Sequence, residues 1–267
     1  MKKYLSFFTI RFLNGLQYRA AAVAGMATQF AWGYMRIKMF LAFSKANPAA
    51  MPMEFDQLAS YIWLQQAFLA FFAVWILDNE IFEEIRSGNV AYELCRPLDL
   101  YNLWFVKNLA MRLSRAVLRC FPILFIALVL PKPLSMSLPQ SPASLILFLI
   151  SLALGLFVSV AFCMVLYITT FFTLSPAGVR VMAISLVDFL SGGIIPLPML
   201  PEKLLFFLEL LPFASMTNTP LRVYSGHIAG TELAFSLGLQ LLWLTVLVLL
   251  GRFMMKRALT RVVVQGG

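Results

Sequence analysis

One acidic residue, Asp188, lies within an otherwise apolar stretch of the chain at positions 181–200. Charged groups are costly in lipid, so a carboxylate there is a candidate for binding a proton, an ion or a substrate. The same group can instead form a helix–helix hydrogen bond or pair with an arginine. Arg36, at the far end of the apolar segment 20–35, is the second polar candidate, although an arginine there can also extend to the membrane interface.

Three arginines, Arg112, Arg115 and Arg119, recur at spacings of three and four and therefore share one face of a helix. Buried cations extend to the interface, form pairs or line water-filled cavities. The pattern fits an anchor against anionic lipid at the inner interface. Contact with a partner subunit and a cavity for anionic substrates are the alternatives, and the sequence leaves all three open.

Motifs for catalysis are absent from the chain. It contains no G-x-x-x-x-G-K-[ST] phosphate-binding loop, no H-E-x-x-H and no G-x-S-x-G. It has one histidine and three cysteines, without metal-type spacing. We therefore expect no catalytic, cofactor-binding or metal-binding residues, and no enzyme activity of its own.

The composition explains why charged residues are so few. Of 267 residues, 61% are hydrophobic and 12% are charged, with a mean hydropathy of +0.85. A soluble domain has about 25% charged residues. These values exclude an ordinary soluble enzyme, a disordered chain and a secreted disulfide scaffold. They predict an all-α polytopic membrane protein.

Six transmembrane helices are predicted within a single transmembrane domain, 1–267. A spanning helix needs about 20 mostly apolar residues, and the spans are placed at about 20–43, 57–77, 108–130, 143–174, 179–199 and 233–252. The fourth is long enough to tilt, project or bend near Gly155. Residues 2–19 have the periodicity of a helix lying in the inner interface, with Leu5, Phe8, Phe12 and Leu16 on one side. A simple amphipathic leader is the alternative.

The positive charges favour one orientation. With the N-terminus in the cytoplasm, fifteen Lys and Arg residues fall inside and six outside. The positive-inside rule therefore predicts that both termini are cytoplasmic. This topology accounts for the net charge of +9, so nucleic acid is not expected as a partner.

Two segments outside the spans have structure of their own. In the cytoplasmic loop 78–107, a short amphipathic helix is predicted around 81–86 and ends at Ser87-Gly88-Asn89. In the outer segment 201–232, the apolar stretch 204–211 is too short to cross and is followed by Pro212-Phe213. It predicts a re-entrant hairpin between the fifth and sixth spans, which must be buried against protein.

These two segments carry a family resemblance. Glu84-Ile85-Arg86-Ser87-Gly88-Asn89-Val90 and Leu94-Cys95-Arg96-Pro97-Leu98-Asp99 are similar to an I-x-x-G, L-x-R-P-L pattern. Leu211-Pro212-Phe213, Pro220 and Tyr224-Ser225-Gly226 are similar to a pattern that precedes the last span. The chain resembles the permease subunit of a type-2 ABC exporter (the ABC-2 superfamily), in the bacterial six-span branch that includes viologen and multidrug exporters.

The resemblance implies an assembly in the bacterial inner membrane. Two permeases, the same chain or a sister, form the pore among membrane lipids. A cytosolic ATP-binding cassette ATPase dimer, which holds ATP and Mg, docks on the loop between the second and third spans and on the N-terminal helix. The implied ATPase-coupling residues are Glu83, Glu84, Ile85, Arg86, Gly88, Leu94, Arg96, Pro97 and Leu98, and the implied outer gate is Pro212, Phe213, Pro220 and Gly226.

Two other functions remain open at this stage. An ion-coupled secondary carrier would depend on Asp188 as its proton or substrate site. A substrate-binding membrane subunit of an importer would also be a small chain without an ATPase site.

Overall fold

The computed structural model describes residues 2–173 and 176–260, and within them the regular structure is entirely helical. The α-helices are α1 (Lys2–Leu16), α2 (Arg19–Ala46), α3 (Phe55–Ala67), α4 (Leu69–Phe72), α5 (Asn79–Ser87), α6 (Val90–Leu94), α7 (Leu100–Val129), α8 (Pro142–Thr169), α9 (Pro176–Leu190), α10 (Glu202–Glu209), α11 (Pro212–Met216), α12 (Asn218–Ser225) and α13 (Gly230–Leu259). The predicted all-α class is confirmed.

Among the described residues, α8 and α13 are long and apolar enough to cross a membrane, judged by length and composition alone. The other predicted spans fall short for identifiable reasons. α3 and α9 have 13 and 15 described residues, fewer than a bilayer requires. α7 is long, but it carries Lys107 and the three arginines between positions 107 and 119.

The first helix lies along the first half of α7. At one end, the Tyr4 hydroxyl accepts a hydrogen bond from the backbone N–H of Asp99 at 2.9 Å, and at the other Gly15 touches Ser114. The phenyl rings of Phe8 and Phe12 stack at 5.7 Å. Leu5 is 67% exposed, so the predicted apolar stripe is only partly covered by the bundle.

The segment predicted as one continuous span, 57–77, is broken. α3 ends at Ala67, Phe68 leaves the helical conformation, and α4 continues for one turn only. A break inside a protein leaves backbone carbonyls without their usual N–H partners. Arg112 on α7, with 0% exposure, supplies the missing donors.

The Arg112 guanidinium makes six hydrogen bonds. Nη1 donates to the carbonyls of Ala70, Phe71 and Ala73 at 3.0, 3.0 and 3.1 Å, and Nη2 to that of Ile76 at 3.1 Å. Nε donates to Asn108 Oδ1 at 2.8 Å, and Nη2 contacts Cys163 Sγ on α8 at 3.2 Å. One side chain therefore joins the broken segment to α7 and α8.

α9 ends at Leu190 rather than continuing toward 199. Gly192, with a φ of 81°, and the prolines at 196 and 198 cannot continue a helix, and only a 3₁₀ turn follows at Leu197–Met199. α8 ends at Thr169, before the predicted limit of 174, which itself lies outside the described residues.

The segment from α10 to α12 folds back on itself, since Arg222 of α12 pairs with Glu209 at the end of α10. α10 is largely exposed, whereas α11 and α12 are buried in the bundle and form what we call the buried hairpin. At its tip, the Ser215 carbonyl accepts a hydrogen bond from Gln240 Nε2 of α13 at 2.8 Å, and Met216 lies beside Gly155 of α8. α12 then returns to the loop 131–141, where the Tyr224 hydroxyl donates to the Ser137 carbonyl at 3.0 Å. This geometry is that of a hairpin whose tip is buried against protein.

Gly155 permits this close approach and does not bend α8, which is continuous from Pro142 to Thr169. A Cβ at Gly155 would lie 2.5 Å from the Met216 carbonyl oxygen. We expect Gly155→Ala to lower the free energy of unfolding by about 1–3 kcal/mol, because backbone must move to admit the methyl group. Thermal unfolding in detergent micelles measures the change.

Gly238→Ala in α13 is the matched control, since a Cβ there meets no atom within 4 Å. It should be neutral or slightly stabilising, as alanine is the better helix former. Equal losses for the two variants would contradict the steric role of Gly155.

We expect Arg112→Met to destabilise the protein by about 3 kcal/mol or more, because several buried carbonyls lose their donors. Arg112→Lys should recover only part of this, since one ammonium cannot reproduce the planar fork of donors. Arg86→Met, at an exposed side chain (70%), is the control. Unfolding midpoints in one detergent compare all three variants. A wild-type midpoint for Arg112→Met would contradict the role of Arg112 in holding the broken segment, which we call the Arg112 clamp.

Candidate functional site

The loop between α4 and α7 folds into two short helices. Asp78 caps α5 by accepting the Glu80 N–H at 3.0 Å, and Gly88, with a φ of 76°, ends it in the left-handed conformation. Ile81 and Phe82 are buried and Val90 begins α6, also buried. The helix predicted here is therefore present, and its apolar face anchors it to the bundle.

The structure divides the predicted ATPase-coupling residues between two sides. Glu83, Arg86, Leu94, Arg96 and Pro97 are exposed, whereas Glu84, Ile85, Gly88 and Leu98 are partly buried. Glu83 and Arg86 form a surface ion pair at 2.7 Å. Glu84 and Ile85, expected to contact a partner, thus turn toward the bundle, because the buried face of α5 extends along them.

Tyr92 was missed by the sequence analysis and is the most exposed large hydrophobic side chain of this loop, at 75%. The signal was available in the spacing. Val90 is buried, and two residues farther along a helix a side chain points to nearly the opposite side. Leu94 and Arg96 are exposed as well, as are Glu83 and Arg86 of α5. We call these five residues the exposed loop face.

Lys107 holds the inner side of the loop. This lysine is 2% exposed, and its ammonium lies 3.6 Å from the Asp78, 3.0 Å from the Glu80 and 3.7 Å from the Glu84 carboxylate. A buried cation is tolerated when it is paired in this way. Arg11 of α1 also bonds Glu80, at 2.9 Å. Sequence reasoning missed Lys107 because its partners lie more than twenty positions away.

The loop is also tied to α8 and α9. The Tyr167 hydroxyl of α8 accepts hydrogen bonds from the Asp78 N–H at 2.7 Å and from Asn108 Nδ2 at 2.9 Å. Arg180 of α9 donates to Asn79 Oδ1 at 2.8 Å. Together with α1 and α7, four helices contact the beginning of α5. A displacement of α5 must therefore move several helices of the bundle.

Two carboxyl groups connect α5 with α6. Trp104 Nε1 donates to Glu93 Oε2 at 2.6 Å, and the Glu93 carboxyl is close enough to Glu84 to affect its pKa. Burial raises the pKa of Glu84 to about 7, nearby Glu93 and Glu80 add to the rise, and Lys107 opposes it. The pKa of Glu80 falls to about 2, because the Arg11 and Lys107 cations stabilise its carboxylate despite partial burial.

The predicted gate residues belong to the buried hairpin. Pro212, Phe213 and Pro220 are buried, and Gly226 ends α12 with a φ of 70°. The Phe213 ring packs edge-on against Phe162 of α8 at 5.6 Å. Beside them, Arg222 pairs with Glu209 and with Glu232. The structure brings these residues together, and their role as a gate stays a prediction.

The two intramembrane candidates are not paired with each other. Arg36 Nη1 donates to Gln65 Oε1 at 2.6 Å and Nη2 to the Ile194 carbonyl at 3.1 Å. It therefore bridges α2, α3 and the chain after α9 rather than extending away from the bundle. Asp188 is partly buried, and in the described part of the chain no cation forms an ion pair with its carboxylate.

The raised pKa of Glu84 predicts a pH dependence of stability. The ordinary pKa of a glutamate is about 4.5. Between that pH and about pH 7, the Glu84 carboxyl holds a proton in the folded chain more often than in the unfolded chain. The free energy of unfolding contributed by this group therefore falls as the pH rises through that window. Glu84→Gln cannot lose a proton, so relative to wild type it should gain stability between pH 5 and pH 8.

Glu83→Gln on the exposed side of the same helix is the control, and its difference from wild type should vary less with pH. Unfolding midpoints at a series of pH values test both variants. Glu80 affects the free energy of unfolding in the opposite direction. Its ionised carboxylate stabilises the folded chain, and this stabilisation is lost only as the pH falls below about 4.5 toward 2. A pH-independent difference for Glu84→Gln would contradict the buried carboxyl pair.

No curated protein matches the chain. The model of a family described as ABC-2 family transporter protein matches residues 54–266. The match begins at the residue before α3 and includes both the loop helices α5 and α6 and the buried hairpin. Since it covers most of the chain, the protein belongs to the ABC-2 transporter family and is a membrane permease of an ABC transporter.

Proposed function

We propose that this chain is the transmembrane permease of an ATP-driven exporter whose ATPase is a separate cytosolic chain. The observation that carries the proposal is the loop helix α5, which is bound to four helices of the bundle on one side and exposed on the other. Such an element transmits motion but performs no chemistry. ATP and Mg would be held by the partner ATPase dimer.

The exposed loop face supplies a surface of the kind that proteins bind. Tyr92 and Arg86 are residue types enriched where binding energy concentrates, and Leu94 adds an apolar contact that is 42% exposed. Glu83 and Arg96 provide charges of both signs at its edge. The partner would bind here, while Lys107 and the buried apolar side chains keep the loop fixed to the bundle.

Six membrane spans are proposed: α2, the broken segment α3–α4, α7, α8, α9 and α13. The basic residues near the ends of these segments favour cytoplasmic termini, and the resemblance to bacterial permeases supports the inner membrane as the location. The broken segment can lie within the membrane because protein surrounds the break. The outward direction of transport is inferred from the resemblance to ABC-2 exporters.

A second permease completes the proposed pore. α9 exposes Val181, Met182, Leu186 and Phe189, an apolar surface that the other described residues leave uncovered. Lipid and a second permease, either the same chain or a sister, would cover it between them. The buried hairpin would then form the outer gate, with Pro212 at the start of α11, Gly226 at the end of α12, and Phe213 and Pro220 within these helices.

Affinity purification of the tagged chain from its native host tests the docking surface. We expect a P-loop ATPase to accompany the wild-type chain in stoichiometric amount by mass spectrometry. Leu94→Asp combined with Tyr92→Ala should reduce its recovery by about tenfold or more, because loss of two central contacts costs several kcal/mol. Leu138→Asp, at another exposed leucine (74%), should retain it.

Full recovery of the ATPase with the loop variant would contradict docking on the exposed loop face. A wild-type chain that purifies without any ATPase in several mild detergents would contradict the exporter itself. That result would favour an ion-coupled carrier with Asp188 as its site. A second permease in the same eluate would identify a hetero-pair.

A further inference from the structure

Two cations on α7 have no counter-charge within the described residues. Arg112 donates to carbonyls and Lys107 pairs with three carboxylates, but Arg115 and Arg119 form no ion pair there. Among the residues that the structure describes, Arg119 has one long hydrogen bond, 3.5 Å from Nη2 to the Ala21 carbonyl, and its Nε is buried without a partner. Both side chains are partly buried. Unpaired cations in such a position favour an anion from outside the chain.

The space around Arg119 is shaped by α2. Its guanidinium lies against Gly25, where a Cβ would come within 2.6 Å of Cζ. One turn earlier on α7, Ser114 touches Gly15 near the end of α1. Arg115 and Arg119 therefore lie beside the junction of α1 and α2, and Tyr18 at that junction is exposed.

The same face of α7 becomes apolar beyond Arg119. Pro122, Ile126 and Val129 follow at spacings of three, four and three, so they continue the line of Arg115 and Arg119. All three are exposed, Ile126 at 40% and Val129 at 68%. The distance along the helix from Arg119 to Val129 is about 15 Å. That is about half the hydrocarbon thickness of a bilayer.

We propose that Arg115 and Arg119 bind the phosphate of an anionic phospholipid, with an acyl chain lying along Pro122, Ile126 and Val129. A cationic site that continues into an exposed apolar strip fits an amphiphilic anion better than a small, fully hydrated one. The length of this apolar strip matches the depth of the acyl region of one leaflet. That leaflet is the one on the side of the membrane where α1 lies. The site requires only that α7 lies in a membrane, so it stands independently of the direction of transport.

Lipid binding to the purified full-length chain tests this site. Native mass spectrometry would follow titration with phosphatidylglycerol, with phosphatidylcholine and inorganic phosphate as separate arms. Wild type should bind phosphatidylglycerol more tightly than phosphatidylcholine. Arg115→Gln with Arg119→Gln should weaken binding of the anionic lipid by about tenfold or more. Lys38→Gln with Lys45→Gln removes the same charge from the other end of α2 and should leave this binding unchanged.

A second variant keeps both arginines and guards against misfolding of the first. Gly25→Ala displaces the flexible Arg119 guanidinium and should weaken phosphatidylglycerol binding severalfold. Equal binding of the two lipids, or equal losses for the arginine and lysine pairs, would overturn the proposal. Inorganic phosphate that binds at the site and displaces the lipid at similar concentration would also overturn it, in favour of a free anion.

Discussion

Arg112 satisfies the break in the second predicted span, and the arrangement of the bundle depends on it. A chain that leaves the helical conformation inside a protein exposes carbonyls that water cannot reach. The planar guanidinium meets this need because its donors point outward from one rigid group. Asn108 and Cys163 complete its coordination from α7 and α8. The positive charge of Arg112 is thus surrounded by dipoles. The broken segment, α7 and α8 cannot separate without leaving the guanidinium and the carbonyls unpaired.

The Arg112 contacts also fix the position of the loop helices α5 and α6. The chain leaves the Arg112 clamp at Ile76 and enters α5 two residues later, through the cap at Asp78. Lys107, five residues before Arg112 on α7, gathers the loop carboxylates. One stretch of α7 therefore fixes both the broken span and the surface proposed to receive the ATPase. Movement of that surface is expected to act on the break, where the backbone has the fewest helical constraints.

At the buried hairpin, a neutral side chain satisfies buried backbone carbonyls in the way that Arg112 does at the broken segment. The hairpin brings irregular backbone against α8 and α13, and Gln240 satisfies the carbonyls of Ser151 and Ser215 at 3.0 and 2.8 Å. Gly155 contributes by lacking a side chain. Buried backbone is again supported by one long polar side chain from a neighbouring helix, which is how a membrane bundle can contain a segment too short to span it.

The amino-acid sequence by itself determined the membrane class, the helical content, the helix in the loop and its glycine end, and the family. These depend on composition, on local periodicity and on residues a few positions apart, all of which are visible in one dimension. Tertiary structure decided which face of α5 is exposed, that Glu84 turns inward, and that residues 57–77 are not one continuous helix. Each of these outcomes depends on the Lys107 contacts with the loop carboxylates or on the Arg112 contacts with the carbonyls of the broken segment, and all of these partners lie more than twenty positions away. Periodicity records the apolar character of a segment, but it carries no information about a distant side chain that satisfies its backbone.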